Sequence, residues 1–141
     1  MQHDHYEIFC DKSLLDIDSI HGYLANESYW ATGISREDVV RCIENSLCFG
    51  MYESTGRMVG FARVVTDYTR FAYLMDVFIR DEFRSKGLGK QLMEYILNLD
   101  ELKRVSWLLA TKDARGFYEK LGFAAGLDSN KYLSLRRKPQ I

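Results

Sequence analysis

The most informative stretch of this chain is Val77-Phe78-Ile79-Arg80-Asp81-Glu82-Phe83-Arg84-Ser85-Lys86-Gly87-Leu88-Gly89-Lys90. An apolar strand runs into a short loop, and the loop opens a helix through Arg-x-x-Gly-x-Gly. Free backbone N–H groups and the positive end of the helix dipole favour a phosphate at such a helix start. Gly87 and Gly89 also remove side chains that would keep a pyrophosphate away from that backbone. The stretch therefore predicts a phosphate-binding loop.

Charge supports this prediction, although short glycine motifs are weak evidence. Arg84, Lys86 and Lys90 add local positive charge to a chain whose formal net charge is −1. Two other phosphate motifs do not fit, because the stretch lacks Gly-x-x-x-x-Gly-Lys-Ser/Thr and has no third glycine at the dinucleotide spacing. From these residues alone, a basic helix start after a glycine turn is an equally good interpretation.

A second motif follows the next apolar strand and reads Ala114-x-x-x-Tyr118-Glu119-Lys120-Leu121-Gly122-Phe123. At this point the chain resembles the GNAT acetyltransferase superfamily. Arg84-x-x-Gly87-x-Gly89 is similar to that family's acyl-CoA pyrophosphate loop, and the second motif is similar to its Ala-x-x-x-Tyr-x-x-x-Gly-Phe signature. The two motifs stand in the right order, with one helix and one strand between them, and the element order agrees over essentially the whole chain.

The elements predicted along the chain form an α/β fold with one β-α-β crossover. The strands expected before the second motif are Tyr6–Cys10, Leu47–Tyr52, Met58–Val65, Phe71–Ile79 and Val105–Ala110. The expected helices are one capped by Ser13 and ending near Leu24, one opened by Ser35, one from Arg84–Gly89 to about Asn98, and Ala114–Leu121. One or two closing strands, including Lys131–Leu135, are expected to follow.

The resemblance implies the GNAT fold in a single domain over residues 1–141. That fold has a mixed, mostly antiparallel sheet of about six or seven strands with helices on both faces. The strands that hold Val77 and Leu108 would splay apart, forming the slot where thioester and amine meet.

The resemblance also implies a binding site for acetyl-CoA. Backbone groups of the strand Val77, Phe78 and Ile79 would pair with the pantetheine arm. The pyrophosphate would be bound by Arg84, Ser85, Lys86, Gly87, Leu88, Gly89 and Lys90. Thr111 stands where the family often has a cofactor-contacting Asn, and it keeps a hydroxyl in place of the amide.

Acetyl transfer to an amine makes three chemical demands. An alkyl amine is mostly protonated at neutral pH and must lose a proton before it attacks a thioester. The developing oxyanion needs a donor, for which a backbone N–H of the Phe71–Ile79 strand is the candidate. The leaving thiolate also needs a hydrogen-bond donor, for which Tyr118 is the candidate. A hydrogen bond suits Tyr118 better than full proton transfer, because a phenol near pKa 10 is a weaker acid than a thiol near 8.5.

The general base and the acceptor pocket are less well defined. Tyr73 stands where relatives often carry an acid, and Asp76 lies three residues later on the opposite face, unless a bulge redirects it. An unpaired charge in Tyr-Leu-Met-Asp-Val-Phe-Ile would be costly, so Asp76 is either catalytic or structurally paired. Tyr73 is also a candidate acceptor-pocket residue. Tyr29 and Trp30 lie in the helix-helix segment that often shapes this pocket in the family. They could contact an amine by cation–π interaction or simply pack.

The composition limits which partners, metal sites and locations are expected for this chain. The near-neutral charge gives no basic field, so nucleic acid is not expected. Three cysteines without a CxxC pair argue against a disulfide framework and against a thiolate metal site, and no metal is expected. No apolar run approaches the length of a membrane span, and the N-terminus has no signal core, so a cytoplasmic location is expected.

We therefore expect an N-acetyltransferase that moves the acetyl group of acetyl-CoA to a primary amine by direct attack in a ternary complex. The acceptor would be a small-molecule or peptide amine, and the resemblance allows a homodimer through the C-terminal strands. A non-catalytic acyl-CoA-binding or regulatory module on the same fold is the alternative. A more distant alternative is a nucleotide-phosphate binder that prefers ATP over CoA.

Overall fold

The computed structural model describes residues 5–128 and 130–137. The chain divides into two compact units, Met1–Ala110 and Thr111–Ile141. The strands of the first unit are β1 (Tyr6–Phe9), β2 (Leu47–Glu53), β3 (Met58–Thr66), β4 (Phe71–Ile79) and β5 (Ser106–Leu109). Its helices are α1 (Ile17–Asn26), α2 (Arg36–Glu44) and α3 (Leu88–Leu97), with 3-10 turns at Lys12–Leu14, Asp81–Phe83 and Asp100–Leu102. The second unit contains α4 (Arg115–Glu119).

The five strands form one sheet in the order β1-β2-β3-β4-β5. The first four strands are antiparallel to their neighbours, whereas β4 and β5 are parallel and α3 connects them. A parallel pair needs such a crossover, because a two-residue turn cannot bring the chain back to the same end of the sheet. The predicted α/β fold with a mixed, mostly antiparallel sheet is therefore confirmed.

Helices cover both faces of this sheet. On one face, α1 and α2 bury Ile20, Leu24, Val39 and Ile43 in a cluster with Cys48, Tyr52, Met58, Phe61 and Phe78 of the strands. On the other face, the ring of Tyr95 in α3 lies 6.3 Å from that of Phe49 in β2. Leu88, Leu92 and Ile96 recur every four residues along α3 and are buried. Each fully buried aliphatic side chain contributes about 1.5–3 kcal/mol, so both faces stabilise the fold.

Strands β3 and β4 approach each other closely where β4 ends. Gly60 pairs with Ile79 in the antiparallel register. A Cβ at position 60 would lie 2.6 Å from Ile79 Cδ1 and 3.3 Å from the Phe78 carbonyl oxygen. A side chain at position 60 would therefore force Ile79 to move and would crowd the backbone of β4.

The prediction of one helix beginning at Ser13 was wrong. The chain instead forms the 3-10 turn Lys12–Leu14, capped by the side chain of Asp11, and then α1, capped by Asp16. Leu15 between them is extended, with φ −68° and ψ 135°. Two aspartates that each cap their own turn therefore break the segment into two. Helix α3 likewise begins at Leu88 and not at Arg84, because the preceding loop contains left-handed residues.

The predicted closing strand Lys131–Leu135 was also wrong. No strand occurs in residues 123–128 or 130–137. The carbonyl oxygen of Asp128 accepts the N–H groups of Lys131 and Tyr132, which forms a turn where the strand was expected. Leu133 and Leu135 are 98% and 79% exposed, so the apolar alternation of this segment buries no face. The sheet of the described residues has five strands, fewer than the six or seven expected.

Candidate active site

A β-bulge interrupts β4 at Asp76. Arg63 of β3 pairs with Met75, whereas Phe61 pairs with Phe78, so two residues of β4 lie opposite Ala62 alone. Asp76 has a φ of +55°, a left-handed conformation that Asp and Asn tolerate better than most residues. The bulge that the sequence analysis raised as one way to redirect Asp76 is therefore present.

Beyond the bulge, β4 has an edge that β5 does not cover. The parallel pairing runs from Phe71↔Ser106 to Leu74↔Leu109, and β5 ends there. Strand β4 continues to Ile79, so Val77, Phe78 and Ile79 extend past their parallel neighbour. An uncovered strand edge presents main-chain groups that can pair with an extended ligand, as a peptide adds to a sheet edge. Within the first unit, this geometry fits the expected contact with a pantetheine arm.

The loop after β4 is shaped for main-chain binding of an anion. It contains the 3-10 turn Asp81–Phe83 and two left-handed residues, Ser85 with φ 65° and Gly87 with φ 76°. Gly87 is the N-cap of α3, and no side chain caps this helix. The first amides of a helix have no intrahelical partner, and left-handed turns can make an anion-binding concavity of such amides. The N–H groups of Leu88, Gly89 and Lys90 are therefore placed for a phosphate group.

Arg84 is held at the junction of β4 and this loop. Its Nε donates to the carbonyl oxygen of Ile79 at 3.1 Å, and its Nη2 donates to Tyr23 Oη at 3.1 Å. Its Nη1 lies 2.9 Å from Asp81 Oδ1. Burial raises the pKa of the Tyr23 phenol, and the charge and hydrogen bond of Arg84 partly oppose that shift. Arg84 thus carries positive charge beside the helix start.

The other two cations of the loop lie on the same segment. Lys86 Nζ is 5.8 Å from the centre of the Phe83 ring, and Lys90 Nζ is 3.7 Å from Glu94 Oε1 one helical turn later. Lys86 thus lies against the 3-10 turn before α3, whereas Lys90 extends along α3 toward Glu94. The loop therefore combines main-chain amides with three basic side chains.

The segment between α1 and α2 brings aromatic side chains to the bulge. Ser28 fixes this segment, because its Oγ donates to the Leu24 carbonyl oxygen and accepts the Ala31 N–H. Trp30 Nε1 donates to Asp76 Oδ1 at 2.8 Å. The Tyr29 ring lies 5.0 Å from the Trp30 ring and nearly perpendicular to it. The structure therefore brings Trp30 into contact with Asp76 and places the Tyr29 ring against the Trp30 ring.

Asp76 also forms a buried ion pair that the sequence analysis missed. Its Oδ2 lies 2.8 Å from Arg63 Nε, and the two side chains are 7% and 9% exposed. Arg63 Nη1 donates in addition to Ser46 Oγ at 3.0 Å. Both carboxylate oxygens of Asp76 thus accept hydrogen bonds, which favours the structural pairing that the sequence left open. The signal was an arginine and an aspartate, each inside an apolar run of a neighbouring strand.

Tyr73, also expected near the acceptor, lies on the part of β4 that pairs with β5, opposite Leu108. Its half-buried ring is 6.4 Å from that of Phe71. The bulge separates Tyr73 from the residues of the uncovered edge, and its role stays a prediction.

The second unit carries the other two expected site residues. Tyr118 in α4 is buried, with its ring 5.0 Å from Phe117 and 5.8 Å from Phe123. Thr111 Oγ1 accepts the N–H of Ala114 at 3.0 Å, so its hydroxyl shapes the turn before α4. The expected roles of Tyr118 at the leaving sulfur and of Thr111 at the cofactor stay predictions.

Two further findings concern the described part of the chain. Residues 5–128 and 130–137 contain no group of three or more His, Cys, Asp or Glu side chains that could hold a metal ion. The same residues include no helix with the length and apolar character that a membrane span requires. Separately, Cys10, Cys42 and Cys48 are free thiols.

A family model of the acetyltransferase (GNAT) domain matches residues 44–125, more than half of the chain and both sequence motifs. The chain belongs to the GNAT family. The GNAT chain is also 40% identical to a crystallised protein of Xanthomonas campestris pv. campestris that is described as belonging to that family. The two structures superpose with a TM-score of 0.90 over 94% of each chain. The membership and the fold implied by the resemblance are therefore confirmed.

Curated GNAT relatives are named as N-acetyltransferases. GCN5-related N-acetyltransferase 1, chloroplastic, of Arabidopsis thaliana is 33% identical over 121 residues, which cover 80% of this chain and 61% of the relative. Serotonin N-acetyltransferase 2, chloroplastic, of Oryza sativa subsp. japonica is 31% identical over 124 residues, covering 82% and 62%. The chain thus spans less than two thirds of these two relatives.

Proposed function

We propose that this GNAT protein transfers the acetyl group of acetyl-CoA to a primary amine by direct attack in a ternary complex. The observation that carries this proposal is the continuity of the uncovered β4 edge with the amide-lined loop at α3. One extended ligand with a pyrophosphate at one end could contact both. Acetyl-CoA supplies the activated thioester.

Residues of β4 and the loop orient that ligand in our proposal. The amides of Leu88, Gly89 and Lys90, with the side chains of Arg84 and Lys86, hold the pyrophosphate. Main-chain groups of Val77–Ile79 pair with the pantetheine arm. A main-chain N–H at the bulge donates to the carbonyl oxygen of the thioester as negative charge develops there. Such a preorganised donor contributes about 2.7–4 kcal/mol of transition-state stabilisation in enzymes that use one.

The proton balance of the reaction involves two more groups. The ammonium must lose one proton before its nitrogen forms the new C–N bond, and the nitrogen loses a second proton as the C–S bond breaks. The released thiolate gains one proton, so the reaction releases one proton in total. We assign Tyr118 as the hydrogen-bond donor to the departing sulfur. The hydrogen bonds of Asp76 to Trp30 and Arg63 favour a positioning role for this carboxylate, so the ammonium proton passes to water in our proposal.

The test is thiol release from acetyl-CoA across a panel of primary amines, with each acetylated product identified by mass spectrometry. The N,N-dimethyl analogue of each amine is the matched control, because a tertiary amine cannot form a stable amide. The rice relative's name makes serotonin one amine for the panel. Release above the amine-free blank with primary amines alone is the expected result. Acetyl-CoA binding without turnover would support the regulatory module instead.

A further inference from the structure

The Trp30 ring is held by a hydrogen bond at one edge and is partly exposed elsewhere. Its only polar atom, Nε1, donates to Asp76 Oδ1 at 2.8 Å, yet the residue remains 41% exposed. The surface that remains exposed is therefore the apolar ring. The rings of Tyr29 and Tyr23 lie 5.0 Å and 6.3 Å from it. Three aromatic side chains thus cluster at Trp30, whose indole N–H contacts Asp76 at the β4 bulge.

Asp76 can hold Trp30 because Arg63 compensates its charge. A carboxylate as enclosed as this one would be costly without a partner, and Arg63 Nε lies 2.8 Å from its second oxygen. Ser46 in turn fixes the guanidinium through Oγ at 3.0 Å. The position of the Trp30 ring is thereby tied to the backbone of β4 at the bulge.

We propose that Trp30 determines acceptor specificity and selects primary amines that carry a flat aromatic group, the arylalkylamines. Asp76 and Arg63 are positioning residues that hold its ring. The inference rests on the proposed function, since it names the substrate class of that same site. Aromatic rings bind one another in edge or offset geometry, and an ammonium group is attracted to a ring face. Asp76 is buried, and both its oxygens already accept hydrogen bonds, so it is poorly placed to bind a second cationic group, which disfavours polyamines.

This role makes a prediction that a general-base role for Asp76 does not. Asparagine suits the left-handed backbone at position 76, but its side chain has one acceptor oxygen where the aspartate has two. The charged guanidinium of Arg63 donates to that oxygen. The amide NH₂ of the new side chain then faces the indole N–H of Trp30, so the hydrogen bond that holds the Trp30 ring is lost. A positioning role therefore predicts lost selectivity in Asp76→Asn. Loss of a base would slow every amine alike and leave selectivity unchanged.

The experiment compares kcat/KM for 2-phenylethylamine and hexylamine at saturating acetyl-CoA, in the full chain. The variants are Trp30→Phe, Asp76→Asn and the double variant. Trp107→Phe is the matched control, the same substitution at the only other tryptophan. We expect Trp30→Phe and Asp76→Asn each to lower the aromatic-to-aliphatic ratio roughly 3- to 10-fold, the contribution of one aromatic contact. The double variant should show no further loss, because both substitutions remove one interaction. Trp107→Phe should change the ratio less than about twofold.

Three results would overturn the proposal: an unchanged ratio in Trp30→Phe, an equal loss for both amines in Asp76→Asn, or additive losses in the double variant. Trp30→Phe carries the test alone if Asp76→Asn does not fold. If the wild type releases no thiol with any amine, titration calorimetry of the CoA-loaded protein with the same two amines replaces the kinetics. A preference for 2-phenylethylamine that Trp30→Phe removes would then support this inference while the proposed function fails. Equal affinity for the two amines would overturn the inference.

Discussion

Arg84 Nη1 and Asp81 Oδ1 form an ion pair of 2.9 Å at the entrance to the amide-lined loop. Both side chains are more than half exposed, so the pair itself stabilises the protein by at most about 1 kcal/mol. The ion pair matters because it engages a guanidinium that could otherwise bind a phosphate. A phosphate that binds at α3 must share this guanidinium with Asp81.

Asp81→Asn should therefore strengthen acetyl-CoA binding. We expect the dissociation constant to fall about 2- to 5-fold at low salt, the equivalent of a weak surface pair, with kcat unchanged. The gain should shrink in 1 M salt, where the Debye length is about 3 Å. Titration calorimetry measures it, and Asp100→Asn, an exposed aspartate in another 3-10 turn, is the control. Equal gains in both variants would point to net charge and away from the Arg84 contact.

Gly89→Glu should abolish acetyl-CoA binding in a folded protein, because it places a carboxylate in the first turn of α3. Acetyl-CoA at 100 times its dissociation constant stabilises a protein by about 2.7 kcal/mol. For the wild type this corresponds to a rise in Tm of roughly 6–14 °C. Gly89→Ala, which adds a methyl group and no charge, should retain most of the rise. An undiminished rise in Gly89→Glu would move the pyrophosphate site away from this loop.

Tyr118→Phe should slow turnover while acetyl-CoA binding is retained. The ring and its contacts with Phe117 and Phe123 survive, and only the hydroxyl donor is lost. A transition-state donor of this kind is worth on the order of 10²- to 10³-fold in kcat, or about tenfold if water substitutes. Single-turnover kinetics with an accepted amine measure the effect, and Tyr95→Phe on α3 is the control. A wild-type rate of chemistry in Tyr118→Phe would remove the hydroxyl from the mechanism.

The β3–β4 turn should contribute a pH-dependent part of the stability. The N–H groups of Thr69, Arg70 and Phe71 donate to Asp67 and lower its pKa to about 2. A lowered folded-state pKa stabilises the fold above the unfolded value near 3.9, and this contribution is lost as the pH falls through about 2. Asp67→Asn should thus be less stable than the wild type at pH 6, with the gap closing between about pH 4 and 2. Urea unfolding across this range measures the gap, and a constant gap would contradict the prediction.

Local sequence signals predicted much of this fold. The bounds of β4 were correct because its run of apolar and aromatic residues lies between the turn at Asp67–Arg70 and the charged pair Arg80-Asp81. Ser35 caps α2 as expected, accepting the N–H of Asp38. Such features depend on neighbours within a few residues, which the sequence displays directly.

Contacts between distant residues were harder to predict. Arg63 and Asp76 lie 13 residues apart, and their pairing depends on the β3–β4 register and on the bulge at Asp76. Trp30 reaches Asp76 across 46 residues, which no local pattern indicates. The turn at Asp128 shows the opposite error, because an alternation typical of a strand can occur where no neighbouring strand pairs with it.

Gly60 lies so close to Ile79 that substitutions at these two positions depend on each other. Alanine there would be accommodated if Ile79 changed rotamer, because the closest atom is the end of that side chain. The same Cβ would also lie 3.3 Å from the Phe78 carbonyl oxygen, a backbone atom that can move only if β4 shifts slightly. A side chain at position 60 therefore requires a change in the rotamer or the size of residue 79. Substitutions at these two sites are thus coupled across the strand pair that is proposed to hold the cofactor.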